Sequence, residues 1–144
     1  MKPLRHFNEY VNEGIVKKQS PDKLRANSLI EEAKDGYKVL LEYCNKIGIS
    51  NKNANYIIKN AYDIIMELIR AKMLINGFSS SGLGAHEVEV SYLRELKFKE
   101  SEIEFANQLR YFRNSITYYG KKFDAEYAKK VIDFLGNVFD KLRA

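Results

Sequence analysis

The sequence predicts an all-α protein, an up-and-down bundle of four to five helices. Apolar residues recur at helical spacing in several separate stretches. Polar or glycine-bearing breaks divide those stretches. The connections are short, which favours antiparallel neighbours.

Residues 1–19 are polar and mixed, with Gly14 interrupting, and read as a short helix or an arm. Ser20-Pro21-Asp22 reads as a helix start. Serine can cap, proline suits the first helical position, and aspartate favours the positive end of the helix dipole. Ile30, Ala33, Tyr37, Leu40, Leu41 and Cys44 follow at helical spacing, and Gly48 is the stop. After the polar break Ser50–Asn53 comes the strongest helical pattern. Ile57, Ile58, Ala61, Ile64, Ile65, Leu68 and Ile69 form one continuous apolar face. Isoleucine is not the best helix former, so tertiary packing must hold this helix, which places it centrally. A share of the stripe is also available for a dimer interface. Gly77 ends the helix.

Residues 76–86 are rich in glycine and serine and read as a mobile loop. Over 87–97, Val88, Val90 and Tyr92 alternate like a strand, whereas Leu93 and Leu96 suit a helix. With no partner strand in view, a helix is preferred. Ser101-Glu-Ile-Glu104 has capping-box spacing, and the helix it opens runs to Tyr119 and stops at Gly120. Phe105, Leu109, Phe112 and Ile116 are its core stripe. The last helix starts near Asp124. It buries Ala128, Val131, Ile132, Leu135, Val138, Phe139 and Leu142.

A chain of 144 residues fits one domain, 1–144. It has no apolar run of about 18 residues to cross a membrane, and its N-terminus lacks an apolar signal core. The single cysteine, Cys44, has no intramolecular partner, and a cytoplasmic protein is expected. The formal net charge of +5 is compatible with an RNA or nucleotide partner.

The densest polar cluster is Arg110-Tyr-Phe-Arg113-Asn114-Ser115-Ile116-Thr117-Tyr118-Tyr119-Gly120. At about 100° per residue, Arg110, Arg113, Asn114 and Thr117 share an arc beside the core stripe. Tyr118 continues that arc, while Tyr119 lies nearer the apolar side. Two guanidiniums, an amide and a phenol suit a phosphate and a base.

Within it, Arg113-Asn114-Ser115-Ile116-Thr117-Tyr118-Tyr119-Gly120 resembles the motif of the HEPN family (higher eukaryotes and prokaryotes nucleotide-binding). There an arginine, often followed by a polar residue, precedes a histidine by four to six positions near the end of a late helix. A final amphipathic helix follows. The segment Gly14–Ala33 is similar to the lead-in to the first long helix of compact prokaryotic and archaeal members. The resemblance covers most of residues 10–144. It implies a helical domain that forms homodimers and acts on or binds a nucleotide or RNA, as one half of a toxin–antitoxin-like pair with a small nucleotidyltransferase. It assigns the motif positions to Arg113, Asn114, Tyr118 and Tyr119, and a nucleotide- or RNA-binding seam to Arg110, Arg113, Asn114, Thr117 and Tyr118. Tyrosines stand at 118 and 119, where the family has its histidine. A phenol with an ordinary pKa near 10 is a poor general base at neutral pH. The implied functions are therefore a nucleotide- or RNA-binding module first, and a metal-independent endoribonuclease second. A non-catalytic protein-interaction module is the third.

Other features carry less. His6 and His86 with Cys44 show no metal-ligand spacing, so no metal or cofactor is expected. Gly82-Leu83-Gly84 lacks the lysine and flanking strand of a phosphate-binding loop. Cys44 reads as a small buried hydrophobe.

Overall fold

The computed structural model describes residues 2–144. The elements in chain order are α1 (Phe7–Asn12), β1 (Val16–Lys18), α2 (Lys23–Ile47), α3 (Ala54–Ile75), β2 (Phe78–Ser80), α4 (Ala85–Ser91), α5 (Glu100–Tyr119) and α6 (Ala125–Leu142). The protein is thus mostly helical, with four long helices, two short ones and a two-stranded antiparallel sheet.

Side-chain contacts fix the directions of the long helices. Gly36 of α2 faces Ile64 of α3, and Tyr43 stacks near Tyr56, so these two run antiparallel. Arg113 of α5 meets Tyr62 and Asp63 of α3. Phe105 and Phe112 of α5 meet Phe134 and Tyr127 of α6, again antiparallel. Asn55 at the start of α3 bonds to the backbone of Lys121 and Phe123 just past α5, so α3 and α5 also run antiparallel. Successive long helices alternate up and down; short turns join α2 to α3 and α5 to α6, whereas β2 and α4 lie between α3 and α5.

Helix α3 is central. Ile57, Ile58, Ala61, Ile64, Ile65, Leu68 and Ile69 are all buried within one chain, under α2, α4, α5 and α6. The stripe is therefore used up inside the protomer and leaves no share for a dimer interface. On α5, Leu109 and Ile116 are buried as expected, but Phe105 and Phe112 are half-buried. They join Phe123, Tyr127 and Phe134 in an aromatic strip along the α5–α6 seam.

Several boundaries shift for identifiable reasons. Helix α2 starts at Lys23 because Asp22 is the cap; its Oδ1 accepts the Arg25 backbone N–H at 3.1 Å. Ser20 and Pro21 lie outside it. Helix α5 starts one residue before Ser101, and its cap contact is Glu102, which accepts the Lys99 N–H at 2.9 Å. Asp124 caps α6 by accepting from the Tyr127 N–H.

The larger correction concerns 76–86. This stretch is not one mobile loop. Gly77 closes α3, and Phe78–Ser80 pair with β1, matching Val16 to Ser80, Lys17 to Ser79 and Lys18 to Phe78. The N-terminal segment supplies the partner strand that the local sequence does not announce. Of the two readings of the N-terminal segment, the short helix is found, as α1. Phe7 and Tyr10 are buried, and Phe7 packs edge-on against Phe78 and Tyr92. Residues 87–97 are helical only through Ser91, after which turns lead to α5.

Gly77 holds the junction. Its φ is +83°, its carbonyl accepts the Gln19 N–H at 2.9 Å, and an added Cβ would lie 2.7 Å from the Gln19 carbonyl oxygen. Gly48 also has a positive φ but has open space around it. Gly77→Ala should therefore destabilise by roughly 2–4 kcal/mol, combining backbone strain with a clash. Gly48, at φ +84° and ψ 163°, lies in a backbone region essentially reserved for glycine, so Gly48→Ala should cost the strain alone, about 1–3 kcal/mol. Urea unfolding of both variants checks this, and equal losses would contradict the role given to the Gln19 contact.

Candidate functional site

Helices α4 and α5 flank a groove of about 460 Å³. One wall is Arg110, Arg113, Asn114 and Tyr118, which spacing on α5 puts on one side. The other is the turn Gly82–Gly84 and the first residues of α4, including His86 and Glu87. Of the seam read from the sequence, only Thr117 does not line the groove. Thr117 is exposed to solvent. Tyr118 is 72% exposed and Tyr119 85% exposed. The expectation that Tyr119 turns toward the apolar side is corrected, because Ile116 is the last buried residue of α5 and the final turn projects past the core.

The two arginines are oriented but lightly committed. Asn107, itself buried, accepts from Arg110 Nε and Nη2 at 3.2 and 2.9 Å. The Arg110 guanidinium also lies over the Tyr111 ring, 4.7 Å from its centre. Its ion pair with Glu87 is long, at 3.7 Å. Arg113 is likewise 3.7 Å from Asp63, and its Nε is buried with no hydrogen-bond partner. Its guanidinium sits over the Tyr62 ring at 5.6 Å. Such distances leave good hydrogen-bond geometry for a better acceptor, and phosphate oxygens are the natural match for guanidinium forks.

His86 is the residue that sequence spacing did not assign to this groove. Its Nδ1 is 2.9 Å from the Tyr62 hydroxyl, and the two rings stack with centroids 5.7 Å apart. Burial pushes the Tyr62 phenol well above its ordinary value, so it stays protonated. The Tyr62 hydroxyl has no other protein partner, so in the neutral pair it donates to Nδ1 and the ring proton rests on Nε2. Rotation of the hydroxyl lets its oxygen accept from Nδ1–H instead, which frees the Nε2 lone pair. A tyrosine in this position serves either protonation state of the imidazole.

Burial also lowers the pKa of His86. Glu89 and Asp63 oppose the shift, and Arg113 and Arg70 add to it. His86 is therefore neutral at pH 7. A histidine depressed below its unfolded value of 6.5 contributes stability above that pH and loses it as pH falls through the lower folded value. Replacing His86 with Gln should thus flatten the loss of stability between pH 7 and pH 5, measured by urea midpoints. An unchanged slope would show that His86 titrates normally.

Elsewhere the sequence-singled residues stay apart. His6 is exposed ahead of α1, and Cys44 is half-buried with its thiol pKa pushed up by burial. No cluster of metal-ligating side chains occurs among the described residues. No helix among them is long and apolar enough to cross a membrane. The signal that could have found His86 is its place at the start of a short helix directly after a two-glycine turn. Comparison with protein-family models, curated proteins and solved structures finds no match to this chain.

Proposed function

We propose that the protein is a HEPN-like module that binds a nucleotide or RNA in the α4–α5 groove. One observation carries the reading: Arg110, Arg113, Asn114 and Tyr118, four residues of the α5 seam, line one groove together with His86. The arginines and the amide meet the phosphate, and the exposed Tyr118 ring offers a face to a base. The resemblance adds a homodimer, whose contact lies outside the buried α3 stripe. It also adds a small nucleotidyltransferase as partner in a toxin–antitoxin-like pair. In some such pairs of the resembled family the partner nucleotidylates the motif tyrosine, and the exposed Tyr118 and Tyr119 phenols are open to that modification.

If the groove binds phosphate, Arg113→Ala should weaken nucleotide or RNA affinity by about 10- to 100-fold, the worth of hydrogen bonds to a charged group. The far-ultraviolet circular dichroism should stay unchanged, and calorimetric titration reads the affinity. Retained affinity in a folded variant would reject this site.

A second reading, metal-independent RNA cleavage, is favoured by His86. The O2′–P bond forms as the P–O5′ bond breaks; the 2′-hydroxyl proton passes to Nε2, and the 5′-oxygen regains one from the imidazolium. The products would carry a 2′,3′-cyclic phosphate and would persist in EDTA. His86→Ala should lower the rate by about 10²- to 10⁴-fold while RNA affinity changes little. Equal cleavage by wild type and His86→Ala would dismiss the histidine from the chemistry.

A further inference from the structure

A second, more polar cleft of about 260 Å³ adjoins the same chain segment. Lys17, Arg25 and Arg70 line it together with Ser79, Ser80 and Ser81, and no carboxylate does so among the described residues. Arg70 is held by Glu89, which is 1% exposed, through Nε–Oε2 and Nη2–Oε1 contacts of 2.8 and 3.1 Å. That pairing fixes the Arg70 fork and offsets its charge. Lys17 and Arg25 are exposed and have no carboxylate within ion-pair distance among the described residues. The Ser79 and Ser80 hydroxyls already donate to Gln19 Oε1 and Glu89 Oε2, at 2.9 and 3.4 Å. Two uncompensated cations, an oriented guanidinium and the Ser81 hydroxyl make an anion-binding surface.

The two clefts are lined by consecutive residues of one chain segment. Ser79–Ser81 line this one, and the next residues, Gly82–Gly84, line the Arg113 groove. Helix α4 also serves both, since His86 and Glu87 line the groove while Glu89 anchors Arg70. Glu87 is the carboxylate of the groove, and its long contact to Arg110 keeps it from cancelling both arginines. At the turn between the clefts, Leu83 is fully exposed, and Tyr118 stands open on the groove wall. These are apolar and aromatic faces beside phosphate-binding groups, the pattern that suits unpaired bases.

We propose that the two clefts are successive phosphate subsites of one track for single-stranded RNA, so that the ligand is an oligonucleotide rather than a mononucleotide. This rests on the reading of the Arg113 groove as a nucleotide site. Ser81 lines one cleft and the next residue, Gly82, lines the other, with Cα atoms about 3.8 Å apart, so a short oligonucleotide reaches both.

The test is calorimetric titration of the full chain with adenosine 5′-monophosphate and with a 2′-O-methylated adenine hexanucleotide, which resists cleavage. The hexanucleotide should bind at least about 10-fold tighter. Lys17→Ala with Arg25→Ala should remove about 10-fold of hexanucleotide affinity and leave the monophosphate unaffected. The slope of log affinity against log salt should fall by about 1.4, or roughly 0.7 for each lost contact on a single strand. Lys129→Ala with Lys130→Ala, two exposed lysines on α6, removes the same charge elsewhere and should change neither. An equal loss in that control, or no loss in the Lys17/Arg25 variant while Arg113→Ala still weakens both ligands, overturns the two-subsite track alone. Undiminished binding of both ligands by Arg113→Ala overturns the groove reading beneath it. Failure of the wild type to bind either ligand overturns both.

Discussion

Helix α3 is mostly buried, and the α4–α5 groove is arranged about that burial. Its apolar residues take up the inner faces of α2, α4, α5 and α6. Tyr56, Asn60, Asp63, Glu67 and Arg70 are left along one edge. Two of these reach outward to partners on other helices: Asp63 to Arg113, and Arg70 to Glu89. Tyr62, beside that edge but buried, holds His86 and underlies Arg113. The central helix therefore does more than fill the core. It sets the positions of the imidazole and one guanidinium through a single phenol, which has no solvent freedom of its own. A buried group that bonds to one polar side chain and packs under another is what holds such a constellation in place.

The charges around the groove are balanced loosely by design of distance. Ion pairs of 3.7 Å at Arg110 and Arg113 are beyond hydrogen-bond reach, so they orient the side chains while forgoing the directional part of the interaction. By contrast, Arg70 and Glu89 make close, two-pronged contact. A buried carboxylate left without its partner is costly, which explains why this pair is tight and the groove pairs are not. The molecule thus separates a structural ion pair from arginines kept ready for exchange with another acceptor.

Much of the helical frame was legible because its signals are local. The isoleucine stripe of α3, the glycine after α5 and the aspartate before α6 each state a period or a boundary within a few residues. The sheet was not legible. Val16-Lys17-Lys18 and Phe78-Ser79-Ser80 are too short to show alternation, and each pairs with a segment far away in sequence. Of the seam on α5, Arg110, Arg113, Asn114 and Tyr118 were legible from helical spacing, while Thr117 falls outside the groove. Tyr119 was misplaced toward the core because its direction depends on where the core ends rather than on its angle. His86 escaped because a motif read along one helix says nothing about side chains brought to it by another. Its assignment needed the packing of α4 against α5 and the hydroxyl of Tyr62.

The small sheet closes the open end of the α2–α3 hairpin. Strand β1 precedes α2, β2 follows α3, and Gln19 and Asp22 bond to the backbone of Gly77 and Leu74 between them. Once the two helices pair, the strands already lie side by side, so a contact between distant residues forms with little further loss of chain freedom. The turn at 82–84 and the start of α4 hang from that zipper. The turn, with Leu83 fully exposed, has little packing of its own, so it opens at a lower cost than the buried helical frame beside it.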